Sequence, residues 1–375
     1  MVSITESITN MFSGAHRGSS VGVDIGASSI KVVEVEKVDE RAVLKNYGEI
    51  ALGPRAGVSA GQATNLSPEA LAEALRDIFQ EAGISPRHVS FAIPFSASLL
   101  SVAELPEVGN KELESMIPLE ARRYIPVPLS EVSLDWWVLP KRKAEKKNGA
   151  PTGGVPAPVS KIEVIIAAIH NEVIKKYEVI QQATRIPGEA VHFEIEIFST
   201  LRAIVGRDLS PIMVIDIGAG STKLALVDEG VVRGSHVVSM GGQDITLALA
   251  KSLNIPFTQA EETKCRVGTM GDEEGRDITV VAEIVLANVI NEAAHFVENY
   301  ERKHGTKVSK FILVGGGARL KGIEKIIEKS FSGVSVVIGD PFERLDAPAF
   351  LAPTLKDLSP NFAVAVGIAL KGLEE

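Results

Sequence analysis

Two aspartates about half the chain apart, Asp24 and Asp216, open nearly the same string: DIGASSIK over Asp24–Lys31 and DIGAGSTK over Asp216–Lys223. Each string lies between apolar runs rich in valine and isoleucine, in VGVDIGASSIKVVEV (Val21–Val35) and IMVIDIGAGSTKLALV (Ile212–Val227). Short β-branched runs joined by small residues read as a hairpin with a tight turn. Gly26 and Gly218 permit the sharp bend and the close approach of a ligand. Successive amides in such a turn form a concavity that binds anions, and Gly220 keeps the second turn open. Ser28, Ser29, Ser221 and Thr222 add hydroxyl donors, and Lys31 adds a cation. A bare aspartate repels phosphate, so beside this cradle Asp24 and Asp216 suit the waters of a Mg²⁺ ion. One such hairpin would be no more than a turn beginning with aspartate; two matched copies predict a site between them.

A third segment completes the set. Lys310–Ile327 reads KFILVGGGARLKGIEKII: a strand, three glycines, then Ile323, Ile326 and Ile327 at helical spacing. Gly315, Gly316 and Gly317 would bring backbone against a flat or phosphorylated ligand near a helix start. The order of glycines is not the dinucleotide fingerprint G-x-G-x-x-G, and no G-x-x-x-x-G-K-[ST] loop occurs.

The elements that must position these residues follow from length and pattern. A chain of 375 residues with 45% hydrophobic and 23% charged residues is globular and long enough for two domains. With 39 basic and 48 acidic residues the net charge is −9, against a broad nucleic-acid-binding surface. The single cysteine, Cys265, closes no disulfide within the chain; it reads as a small buried hydrophobe in a reducing, cytoplasmic setting. The mean hydropathy of +0.16 prompts a search for a membrane span. The most apolar stretch, FAVAVGIAL (Phe362–Leu370), falls far short of the ~18–20 residues a span requires. The first 17 residues read as a tail, and KRKAEKK (Lys141–Lys147) as a solvated loop tip. Ser67-Pro68 starts a helix with Leu71, Leu75, Ile78 and Phe79 on its inner face. Pro118 should kink or end early a helix expected over Glu112–Tyr124. Trp136 and Trp137, on an alternating strand, should point one inward and one outward. His170, His192, His295 and His304 lack metal-ligand spacing.

Paired phosphate hairpins followed by a strand–GGGA–helix unit resemble the actin-like ATPase superfamily. The segment EARRYIPVPLSEVSLDWWVL and the strand–helix unit before VHFEIEIFSTLRA resemble, within it, the FtsA-like type IV pilus assembly family PilM. The resemblance implies an α/β fold: duplicated actin-like (ribonuclease H-like) domains with an inserted 1C-type subdomain in the first half. Its expected boundaries are a tail at 1–17, domain I at 18–208 with the insert at about 86–186, domain II at 209–345, and a C-terminal segment at 346–375. It implies ATP and Mg²⁺ as cofactors, with Asp24, Glu196 and Asp216 as the catalytic positions. Glu196 would orient an attacking water, or else serve as a plain salt-bridge residue. Gly241, Gly242, Glu261 and Lys264 would hold the nucleoside, and Gly367 would lie at a close helix crossing. Ala27 and Ala219 stand where relatives often carry Ser or Thr, so amides carry more of the phosphate binding. Lys223, which relatives do not keep reliably, is expected to point outward.

The implied role is a cytoplasmic scaffold with slow ATP turnover at most, peripheral to the inner membrane through its partner. That partner would be the cytoplasmic N-terminal tail of a PilN-type protein, held between the first subdomain and the insert, with pilus motor ATPases as further contacts. Two other readings share the fold. An FtsA-like filament-forming ATPase would want a basic amphipathic C-terminal helix, which the chain lacks before Glu375. A small-molecule kinase would want a catalytic aspartate in a substrate loop, and none is evident.

Overall fold

Valine- and isoleucine-rich runs that meet at a turn of small residues can bury both faces only inside a sheet covered by helices. The computed structural model, which describes residues 18–85, 88–141, 160–186, 191–269, 271–273, 276–277 and 279–374, builds two such sheets. In the first, β1 (Ser19–Ile25) pairs antiparallel with β2 (Ser29–Val38), which pairs with β3 (Arg41–Ala51). Ser67 caps α1 (Pro68–Glu81) by accepting the Ala70 amide, and Leu71, Leu75, Ile78 and Phe79 are buried. The chain re-enters the sheet as β4 (Val89–Ile93), parallel to β1.

An excursion follows. β5 (Ser98–Pro106), α2 (Asn110–Ala121), β6 (Val132–Val138) and β7 (Lys161–His170) form a three-stranded antiparallel sheet, order β5-β7-β6, with a core of its own around Leu113, Ile117 and Val164. α3 (Asn171–Thr184) then returns Tyr177 and Ile180 to the core beneath α1. β8 (Val191–Ile195) completes the first sheet, and α4 (Glu196–Ile204) leads to the second half. Thus β4 and α3, at the two ends of the span expected for the insert, share the first domain's core.

The second half repeats the plan. β9 (Ile212–Ile217), β10 (Thr222–Asp228) and β11 (Val231–Val238) form the meander, followed by α5 (Gly242–Leu253) and α6 (Phe257–Val267). A short pair, β12 (Asp272–Glu273) and β13 (Arg276–Asp277), precedes α7 (Thr279–His304). α7 is long and apolar enough by composition to cross a membrane, yet it lays Leu286, Val289, Ala293 and Val297 into this domain's core. Then come β14 (Lys310–Val314), α8 (Ile323–Ser330), β15 (Ser335–Ile338), α9 (Ala352–Leu358) and α10 (Ala363–Glu374). The sheet orders, β3-β2-β1-β4-β8 and β11-β10-β9-β14-β15, match strand for strand and in direction.

The FAVAVGIAL segment thus becomes the start of a buried helix. α10 runs back from the second half and covers β1, crossing α4 at Gly367. A Cβ on Gly367 would lie 1.7 Å from the Ser199 carbonyl oxygen, so only glycine fits the crossing.

Three expectations need correction. α2 runs through Pro118 to Ala121 rather than breaking there, because Pro118 and Glu114 are exposed and water can satisfy the Glu114 carbonyl. The two tryptophans take opposite faces, but the outward ring is half-buried: Trp136 packs on the insert's own core, and Trp137 meets Phe198 at 5.0 Å on the other side. Cys265 is exposed rather than buried. The expected N-terminal tail, and the basic loop beyond Lys141, lie outside the described residues.

The insert also touches the second domain. Leu139 and Ile165 pack on Val232, and the buried Arg233 guanidinium meets Glu163 at 2.7 Å and the Pro140 carbonyl at 3.3 Å. Glu163→Ala should cost about 3 kcal/mol, since it removes the closest counter-charge of a buried cation; the midpoint of denaturant unfolding reads it. Gly367→Ala should cost at least the ~1–3 kcal/mol typical of overpacking, in the same measurement.

Candidate functional site

The register of each hairpin sets the chemistry of its face. Asp24 lies opposite Lys31 and Asp216 opposite Lys223, so each aspartate shares its side of the sheet with a lysine. Each turn is closed by one bond, Gly26 N–H to the Ser29 carbonyl at 3.0 Å and Gly218 N–H to the Ser221 carbonyl at 2.9 Å. The carbonyls at both tips are consumed from behind. Thr64 and Leu52 donate to Ala27 and Ser28, while Gly242 and Gln243, at the start of α5, donate to Gly218 and Ala219. The amides of Ala27, Ser28, Ala219 and Gly220 have no acceptor among the described residues. Each tip therefore presents donors outward, as an anion requires.

The tips face one another across a cleft of about 810 Å³. Of the residues expected at the site, Asp24, Gly26, Ser28, Ser29, Lys31 and Glu196 line it from the first half. Asp216, Gly218, Gly220, Ser221, Gly242, Glu261, Lys264, Gly315, Gly316 and Gly317 line it from the second. Thr222 and Gly241 stand behind the wall: the Thr222 hydroxyl donates to the Met240 carbonyl, and the Gly241 amide donates to Asp244 at the head of α5. Gly315 is the tightest point. Its φ of +80° and a would-be Cβ 2.3 Å from Asp216 Oδ1 admit no side chain.

Farther along the wall, Lys264 Nζ donates to Glu261 at 2.7 Å, to Thr246 at 2.9 Å and to the Gly242 carbonyl at 3.1 Å. The exposed Cys265 sits beside Glu261 on the same helix. A strap from the first half, residues 53–66, crosses the cleft mouth. Its Ser59 hydroxyl meets that of Thr258 at 2.8 Å, and its Ala63 amide donates to Gln243 at 3.1 Å.

At the floor, charge is concentrated and buried. Burial pushes the Asp24 carboxyl above its ordinary range, against the pull of Lys31 and Lys223. Burial does the same to Glu196, whose Oε1 accepts the Phe95 amide at 2.7 Å. Burial works against the charge on Lys223, but Asp216, Glu196 and Asp24 outweigh it and hold the ammonium above the usual lysine range. Tyr177, also buried, is pushed up by burial and by the Asp24 and Glu196 carboxylates.

Lys223 is a further correction to the sequence expectation. Instead of pointing outward it enters the cleft, with Nζ 3.2 Å from Asp216 and 3.3 Å from Glu196. The signal was present in the duplicated string, because a residue facing Asp216 across a hairpin must share its side. Glu49 was missed for the same reason: it lies opposite Lys31 on β3.

The donor set suits a hydrated Mg²⁺ at one carboxylate. Asp24 lines the cleft, and its oxygens take no hydrogen bond or ion pair from the described residues. Mg²⁺ characteristically keeps several waters and binds through one or two carboxylates plus phosphates. Asp216 offers less, since one oxygen is held by Lys223 and the other abuts Gly315. No cluster of three metal-ligating side chains occurs among the described residues.

The chain is similar to known proteins along nearly its whole length. A solved structure, the PilM-PilN type IV pilus biogenesis complex, contains a chain 27% identical to this one, with a TM-score of 0.77 over 96% of this chain and 100% of that one. MreB 5 of Spiroplasma citri, solved with AMPPNP, superposes with a TM-score of 0.50 at 15% identity, over 94% of this chain and 95% of that one, which shows the shared fold. The cell division protein FtsA of Enterococcus hirae is 24% identical over 391 residues, 95% of this chain and 86% of its own length. The pattern that defines one family, type IV pilus assembly protein PilM, matches residues 22–373. Its span takes in both hairpins, the inserted sheet and the final helix, and the chain belongs to the PilM family of type IV pilus assembly proteins.

Proposed function

We propose that this chain is a cytoplasmic, ATP-binding scaffold of type IV pilus or related secretion-system assembly. It holds the cytoplasmic N-terminal tail of a PilN-type inner-membrane protein and reaches the membrane through that partner. The observation that carries this reading is the likeness to the PilM-PilN complex over 96% of this chain and the whole of that one.

ATP suits the cleft in size and in chemistry. The hairpin amides and Lys31 would take the phosphates from both sides, Asp24 would hold the waters of a bound Mg²⁺, and Gly315–Gly317 with Glu261 and Lys264 would hold the nucleoside. The metal, when present, neutralises phosphate charge. Glu196 is anchored by the Phe95 amide and Lys223, which leaves it poorly free to orient a water, so turnover is slow.

The tail has a place on the far side of the first domain. A groove of about 1230 Å³ runs between β8, α3 and α4 on one wall and β6 and β7 of the insert on the other. Its floor is apolar, with Trp137, Ala167, Phe193 and Phe198, while Arg41 and Arg344 stand at its margin. An extended segment alternating apolar and polar residues fits that lining.

A second reading, an FtsA-like filament former, draws on the FtsA relatives at 24% identity; ATP-dependent polymers in a sedimentation assay would favour it over the scaffold. For the scaffold, calorimetry should detect both MgATP and a PilN-type N-terminal peptide, and failure to bind either removes it. Asp24→Ala should remove the Mg²⁺-dependent part of ATP affinity, a severalfold loss in Mg²⁺ and none in EDTA; unchanged affinity in Mg²⁺ would remove the role given to Asp24. Ile174 is half-buried in the groove wall. Ile174→Asp should weaken the peptide about tenfold or more by setting a charge against an apolar partner, while MgATP affinity stays within a few fold.

A further inference from the structure

Duplication sets a lysine opposite an aspartate in each half, yet the two lysines end in different places. The cause is one residue on the third strand. Lys31 faces Glu49 on β3 and is drawn toward it, Nζ lying 3.6 Å from that carboxylate and 2.9 Å from the Ser29 hydroxyl. Lys223 faces Val237 on β11, which offers no charge. Its ammonium therefore stays over Asp216 and reaches across the domain boundary to Glu196, the first residue of α4.

Asp24, Asp216 and Glu196 are each at most 8% exposed, and all three line the same cleft. Three buried carboxylates repel one another and would repel a triphosphate still more strongly. In a site of this kind that repulsion is commonly relieved by a divalent cation. Here a side chain with 18% exposure already lies between two of the three.

We propose that Lys223 is the resident cation of the phosphate site, taking over much of the charge neutralisation that a divalent ion supplies, so that nucleotide binding persists largely without metal. The inference rests on the reading of the cleft as an ATP site. It concerns how charge is balanced there, not whether ATP binds. Lys31, held by Glu49 and Ser29, contributes from the first hairpin, and Lys223 contributes from the second. The same ammonium joins the second domain's β9 to the first domain's α4, so the closed arrangement of the floor does not wait for a metal.

The test is ATP affinity by titration calorimetry on the full chain, in Mg²⁺ and in EDTA. Wild type should lose less than about tenfold on removal of Mg²⁺, a difference under ~1.4 kcal/mol. Lys223→Met keeps the volume without the charge. It should bind within about tenfold of wild type in Mg²⁺ but lose a further hundredfold or so in EDTA. Lys223→Arg should restore metal-free binding. Wild type that binds ATP only with Mg²⁺ would overturn the inference and leave the ATP site standing. So would a Met variant weakened by the same factor in both buffers. Wild type that binds in neither buffer would remove the ATP site itself, and this inference with it. Because wild type alone supplies the primary comparison, the result holds even if Lys223→Met fails to fold.

Discussion

The burial of negative charge where the two halves meet is the constraint that the architecture must satisfy. Asp24 and Asp216 end the central strands of their sheets, and Glu196 begins the helix that leads from one sheet to the other. Carboxylates so placed are stable only if donors and cations reach them from several directions. The tip carbonyls of both hairpins are therefore bonded from behind, which leaves amides and not oxygens facing the cleft. Gly315 lets backbone pass directly against Asp216. Lys223 and the Phe95 amide complete the shell around Glu196. Each feature is costly alone and makes sense only around that charge.

The same stretch of chain serves the opposite face. Glu194, two residues before Glu196, lines the groove rather than the cleft. It is gripped by the two terminal nitrogens of Arg202 at 2.7 and 2.8 Å, with Lys371 at 3.7 Å. Burial alone would raise its carboxyl, but Arg202 and Lys371 outweigh burial and hold it below the usual range. One strand end thus fixes a carboxylate in each cavity, and α10, crossing at Gly367, presses on the helix that carries Arg202. A shift of α4 would be felt on both sides. That contiguity is the physical requirement for communication between cleft and groove, which a shared fold alone would not provide.

Much of this was legible in the residues. The hairpins, the glycine loop and Gly367 are strings whose backbone demands can be read locally, and duplication made them conspicuous. What escaped depended on pairing between strands. Lys223 enters the cleft because of its register with Asp216 and because the next strand carries Val237 where the first half carries Glu49. Trp136 and Trp137 alternate as a strand requires, but an insert that contacts both domains covers each of its faces. Pro118 costs little because its helix face is wet, a fact of tertiary position. Cys265, apolar by type, lies on the exposed side of a helix whose inner face is Ala260 and Thr263.

The duplication is most informative where it fails. Two identical halves would draw each lysine toward an acid on its own third strand and leave Asp216 and Glu196 without an ammonium between them. Exchanging that acid for valine in one half redirects a single ammonium from its own sheet to the neighbouring domain. Symmetric hairpins make a cradle that is matched on both sides, suited to a chain of phosphates. The asymmetric lysine makes the cradle's floor a joint between the domains. The lysine that faces Asp216 is also a contact between the halves, so a change at one is felt at the other.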